Sequence, residues 1–204
     1  MAIRLQELHA AAVHFPVALL PVAVGVDLLG HTTGDRRLLE AGRLAIGAAA
    51  VGAAVSAITG LIAQEEVNVE GETMDMLITH RNLNLAATVT AGLMARWRAR
   101  HDRPTAAYLA LGLAGIGLVS YTAYLGGTLV YKRGIGVAPA GGQYRKSPPE
   151  LGETGQTGAF FRTAAEDVVH GAKHLAEEVA QARIAPSLGV GPRKAADTGA
   201  GGAV

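Results

Sequence analysis

The sequence predicts an all-α integral membrane protein: a four-helix bundle, then a C-terminal amphipathic surface helix and a disordered tail. Three observations carry that prediction. Half of the 204 residues are hydrophobic and only 17% are charged, which is apolar-rich for a soluble domain. Four stretches approach the roughly 20 apolar residues that a helix needs to cross the hydrocarbon. The connections between them alternate in charge, as the two sides of a membrane require. The expected organisation is a membrane domain over 5–138, a linker over 139–158, an amphipathic helix over 159–185 and a disordered tail over 186–204.

Val13 to Leu29 is the first span, interrupted only by His14 and Asp27, with Pro16 near its start and Pro21 further in as a kink. Leu44 to Ala63 is the second and carries no charge. The third is the least regular. Its clean part runs only from Leu83 to Ala95, and full length requires His80, Arg81, Asn82 and Asn84. Thr105 to Tyr131 is the fourth, again without a charge. Arg36, Arg37 and Arg43 follow the first span, and Arg96, Arg98, Arg100 and Arg103 follow the third. Between the second and third lie Glu65, Glu66, Glu70, Glu72 and Asp75, with no Lys or Arg before Arg81. Only a third crossing puts both basic connections on one side, the cytoplasmic one. The expected location is therefore the inner (plasma) membrane, multi-pass, with both termini outside.

A signal peptide is the competing reading of the first apolar run, but no A-x-A site follows it. The absence of Cys excludes disulfides, thiol nucleophiles and Cys-ligated iron–sulfur clusters within this chain. A net charge of +1 without a basic, aromatic-laced stripe argues against nucleic acid as a partner. The bilayer itself is the expected partner.

Small residues recur at helical spacing: Ala48 and Gly52, Ser56 and Gly60, then Gly112, Gly115 and Gly117. Close helix packing is the favoured reading, and room for a flat cofactor is the alternative. Beyond the fourth span, Phe161, Ala165, Val168, Ala172, Leu175 and Val179 recur every three or four residues. They predict an amphipathic helix lying on the membrane or against a partner helix.

Ionisable residues inside a membrane segment are costly and mark function by default. In the four-span topology His14 and His80 enter from the same side and share a depth beneath the outer headgroups. His9 and Asn84 stand beside them, and Tyr124 and Tyr131, seven residues apart on one stripe, reach the same level. Facing imidazoles in a helix bundle are suited to axial ligation of b-type haem or to lining a quinol site. His14 and His80 with Glu65, Glu66 or Asp75 would alternatively hold a divalent metal, and helix capping is the third reading. Asp27 is expected to pair with Arg37 or Arg43. His170 and His174, four residues apart, read as solvated.

Leu8-His9 and Val13-His14-Phe15-Pro16-Val17-Ala18-Leu19-Leu20 resemble the opening of a bacterial membrane family, the domain-of-unknown-function family twenty-two thirty-one. His80-Arg81-Asn82-Leu83-Asn84 is similar to its third-helix signature. The run from Tyr124 to Tyr131, with Gly134-Ile135-Gly136-Val137, is similar to its closing pattern. The resemblance covers roughly 5–138. It implies a four-helix membrane domain, sometimes followed by a Rieske-type iron–sulfur domain, and hence a respiratory or iron–sulfur partner. Ala10 and Ala63-Gln64-Glu65 depart from the family pattern, which has Pro and Asp there. Two functional classes follow: a redox-associated module that binds haem b or quinol, or a non-catalytic accessory subunit whose C-terminal helix docks a partner.

Overall fold

The computed structural model describes residues 3–136 and 149–193. Among these the regular elements are helices: α1 (Leu5–Ala12), α2 (His14–Thr33), α3 (Arg36–Glu65), α4 (Gly71–Arg98), α5 (Ala106–Tyr131) and α6 (Thr157–Ala180), followed by a 3-10 turn at Pro186–Leu188. Three segments are long and apolar enough to cross a membrane: Leu5–Thr33, Arg36–Glu65 and Ala106–Tyr131.

The first helical segment starts well before the Val13 boundary that hydropathy suggests. The break between α1 and α2 falls at Val13, whose N–H still bonds the His9 carbonyl at 3.1 Å. Pro16 explains the break, since its ring opposes the carbonyl four residues back and it has no N–H to give. The α2–α3 turn is set by Gly34 in the left-handed region (φ 73°) and by Asp35, whose Oδ1 accepts the Arg37 N–H at 2.8 Å. Thr105 caps α5 in the same way, accepting from the Tyr108 N–H at 3.2 Å.

Helices α2 and α4 each pack between α3 and α5. The core they enclose contains Leu20, Ala23 and Val24 of α2, Ile46 and Ala49 of α3, Met94 of α4, and Tyr108 and Leu109 of α5. Glycines allow the closest approaches. A Cβ on Gly52 would lie 2.9 Å from the Phe15 Cβ, and one on Gly112 would lie 2.6 Å from a Val24 methyl. Gly117 meets nothing. Where the small residues matter, they are filled by neighbouring side chains, which is the packing reading.

One charge pairing differs from the sequence expectation. Asp27 bonds not to Arg37 or Arg43 but to Arg98 of α4, at 3.0 Å and 3.1 Å from its Oδ1. Both side chains are fully buried. Arg98 also donates to the carbonyls of Leu39 (2.7 Å) and His101 (2.5 Å). A charge pair this deep persists only when its hydrogen-bonding capacity is used. Gly42 makes room for it, because a Cβ there would lie 2.6 Å from the Asp27 Cγ.

At 30 residues α3 is roughly 45 Å long, well beyond the hydrocarbon thickness of about 30 Å. Its projecting end supports α1 and α6. Leu5, Ile62 and Phe160 form a second core there, joined by Leu8, Leu151, Ala164 and Val168. The face of α6 that is covered therefore runs through Phe160, Ala164, Asp167, Val168 and Gly171. Phe161, Ala165, Ala172 and Val179 of the expected stripe point outward. Gly171 is the closest contact: a Cβ would sit 2.8 Å from the Leu61 carbonyl oxygen.

Two further boundaries move. Within the expected linker, Leu151 pairs with Ile3 in an antiparallel bridge, and Glu150 holds Arg4 at 2.8 Å. Within the expected disordered tail, the Pro186–Leu188 turn packs on α4, with the Ser187 N–H 3.1 Å from the Thr79 hydroxyl. Residues 137–148, at the junction of the expected membrane domain and linker, and 194–204 of the tail lie outside the described residues.

Candidate functional site

The polar centre at the projecting end is built from His9, not His14. The two are five residues apart, about 140° around a helix, so they cannot face the same neighbour. His14 is exposed at the first turn of α2. His9 turns inward and meets His80 edge to face, with ring centroids 6.5 Å apart and planes at 87°. The starting point of the helix decides this: because α1 extends from Leu5, His9 is a helical residue and not a loop residue preceding the span.

Both rings are fixed by main-chain acceptors. His9 Nδ1 lies 3.1 Å from the Ser56 carbonyl, and His80 Nδ1 lies 2.9 Å from the Thr122 carbonyl. A carbonyl only accepts, so each neutral ring carries its proton on Nδ1 and leaves Nε2 as an acceptor. Each ring also lies against a glycine. A Cβ on Gly60 would stand 3.1 Å from the His9 Cε1, and one on Gly126 would stand 3.0 Å from the His80 Cε1.

Asn84 joins the pair, one turn along α4 from His80. Its amide Nδ2 donates to the His80 carbonyl at 2.8 Å and approaches His80 Nε2 at 3.2 Å. His80 is thus satisfied at both nitrogens. Two acceptors have no hydrogen-bond partner among the described residues: His9 Nε2 and Asn84 Oδ1. Both residues line a cavity of about 50 Å³ that continues between the helices past Pro16, Leu20, Ala49, Ala53 and Ala91. Its wall is apolar except at the histidine end, where Ser56 and Thr88 also contribute.

Tyr124 and Tyr131 share a stripe, but the stripe faces outward. They are 61% and 90% exposed, and Tyr124 stacks on Tyr121 with centroids 6.3 Å apart. Thr122, Leu125, Gly126 and Leu129 occupy the inward face instead.

The residues present do not fit a b-type haem. His80 Nε2 already faces the Asn84 amide, and the cavity has room for about three to five waters, on the order of 100–150 Å³ of liquid. That is the scale of one aromatic ring and far below a porphyrin. A metal held by His14 and His80 is not assembled either, because His14 is outside the site. The nearby carboxylates have partners: Asp75 with Arg183 at 2.7 Å and Glu65 with His174 at 2.8 Å. Among the described residues no three His, Cys, Asp or Glu side chains are grouped to hold a metal ion.

Arg81, next to His80, links the site to the C-terminal segment. It donates to Gln64 at 2.8 Å and to Glu178 of α6 at 2.5 Å. Arg183 joins Asp75 to Glu178, and the Asn82 amide donates to the Ile184 carbonyl at 2.7 Å. Two residues of the acidic stretch, Glu65 and Asp75, thus help fasten α6 and the segment after it over this end, while Glu72 pairs with Arg133 beyond α5.

Long apolar helices, buried intramembrane charge and a paired-imidazole centre define a helical membrane protein. The chain belongs to the family described as "Predicted membrane protein (DUF2231)", whose pattern matches residues 6–139. The docked α6 segment lies beyond that match. No curated protein and no solved structure matches the chain.

Proposed function

We propose that this protein is a four-span membrane module that binds the hydroxyl-bearing ring of a quinol-class redox lipid near its outer face. The observation that supports the reading is the pair of unused acceptors, His9 Nε2 and Asn84 Oδ1, on residues bordering a ring-sized apolar cavity. Two acceptors complement a ligand with two O–H donors, so the reduced quinol is preferred over the quinone, which has acceptors only. His80 is a positioning residue that orients Asn84. The chain binds and does not itself oxidise. An electron acceptor would come from outside, and the iron–sulfur partner implied by the family resemblance is of that class.

In this reading α4 is the fourth crossing helix. Its buried Arg81 and Arg98 are 17 positions apart, about 25 Å along the axis. Each charge is then placed near one edge of a hydrocarbon layer about 30 Å thick, with no charged residue from Asn82 to Ala95. The acidic end is outside and the arginine-rich end is cytoplasmic.

Extraction of lipids from the detergent-purified chain, with quantification of quinols, tests the proposal. Co-purifying quinol that is lost in His9→Ala and kept in His14→Ala supports it. A quinol content equal in all three preparations overturns it, as does a Soret band.

The accessory-subunit reading is favoured by one observation: the outward face of α6, where Phe161, Val169 and Val179 are exposed. That face would be covered by a partner helix or the bilayer surface. Phe161→Ser with Val179→Ser would then release a co-purifying partner without lowering the chain's own stability.

A further inference from the structure

At the opposite, arginine-rich end, a groove of about 530 Å³ opens between the last turns of α4 and the first turns of α5. Arg96, in the last turn of α4, and Arg100, in the turn just after it, both line the groove, and neither guanidinium has a hydrogen-bonding or ionic partner among the described residues. The floor is aromatic: Trp97 is stacked between His101, at 4.0 Å, and Tyr108, at 5.0 Å. No acidic side chain lines the groove. On the side toward the middle of the helices its edge is Leu93 and Leu111, which are 60% and 45% exposed. Arg100 lies outermost, Trp97 and Arg96 come next, and Leu93 lies beyond them, so a cationic and aromatic mouth gives way to an apolar exit along the helix axis. A phospholipid likewise presents its phosphate and glycerol before its acyl chain.

We propose that this groove is a binding site for an anionic phospholipid. The phosphate is held by Arg96 and Arg100, the glycerol region lies on Trp97, and an acyl chain leaves along Leu93 and Leu111. Charge complementarity argues for a lipid with net negative charge, since two unneutralised guanidinium groups exceed what one zwitterionic phosphate balances. The volume is in the range of built ligand pockets, about 300–1,000 Å³, and the level matches that of an interfacial Trp. The inner ion pair is not part of the site, because Arg98 is already committed to Asp27 on the other face of α4.

Native mass spectrometry of the full chain, reconstituted with phosphatidylglycerol or phosphatidylcholine and released from detergent, provides the test. A retained phosphatidylglycerol adduct with no phosphatidylcholine adduct is the expected result. Arg96→Gln and Arg100→Gln should each weaken retention about fivefold. Ala107→Trp, which fills the groove and removes no charge, should weaken it as well. Arg36→Gln with Arg37→Gln removes charge at the same end but outside the groove and should leave the adduct in place. Equal losses in the Arg36/Arg37 and Arg96/Arg100 variants would overturn the proposal in favour of diffuse attraction. Full retention in Ala107→Trp would overturn it too, as would displacement by millimolar inorganic phosphate.

Discussion

At the residue scale two cases stand out in the membrane domain: a buried charge pair whose hydrogen bonds are filled, and the two acceptors left open at the cavity. Asp27 and Arg98 illustrate the first case. Removing one partner of a buried pair leaves an uncompensated charge, which costs about 3–5 kcal/mol. Arg98→Gln and Asp27→Ala should each lower the thermal unfolding midpoint in detergent micelles by that equivalent, whereas Arg37→Gln should leave it unchanged. Gly42→Ala should destabilise too, because its methyl would push directly on the Asp27 carboxylate. Gly126 tests the second case. A Cβ there presses on the His80 ring at 3.0 Å, so Gly126→Val should disturb quinol retention while the Asp27–Arg98 end stays intact. The residue types were readable in the sequence, but the partners were not. Arg37 and Arg98 are equivalent by composition, and only the fold, which brings the last turn of α4 to Asp27, selects the distant one.

At the element scale the informative case is α6. Its helical spacing was legible, but two apolar stripes a residue apart begin at Phe160 and Phe161. Sequence periodicity cannot rank them. The choice is made by Gly171, whose missing side chain lets that face of the helix reach the Leu61 carbonyl, and by Glu178, which falls on the same side as Arg81. Arg183→Ala removes the contacts to both Asp75 and Glu178. It should increase proteolytic cleavage and amide exchange across 181–193, with α2 to α5 protected as before. A similar ambiguity affected α1. The outward turn of His14 depends on where the helix begins, and Pro16 marks the break without fixing the rotation of the turn before it.

At the scale of the whole molecule the two ends have opposite character. One carries carboxylates neutralised by Arg81 and Arg183, and the other carries arginines around an open groove. The charge alternation that predicts four crossings is read directly from the sequence, since it depends only on the order of loops. Site-directed cysteine labelling in intact cells should therefore reach Glu70→Cys from outside, and Asp35→Cys and Asp102→Cys only after permeabilisation. Labelling of position 70 from the same side as position 102 would remove α4 as a crossing helix. The sequence brings position 80 to the level of the histidines near the start of the first helix, but it does not say which of the two supplies the first ring.

The central claim is that His9 and Asn84, at the polar end of the ring-sized cavity, accept hydrogen bonds from a diol-bearing ring. Titrating a short-tailed benzoquinol and its quinone into the detergent-solubilised full chain, followed by calorimetry, tests it most directly. The account predicts binding of the quinol at least about tenfold tighter than the quinone, a difference of about 1.4 kcal/mol. It also predicts loss of that preference in His9→Ala and Asn84→Ala, with His14→Ala behaving as the native chain. Equal affinity for the two redox forms, or a loss that follows His14 instead of His9, would contradict it.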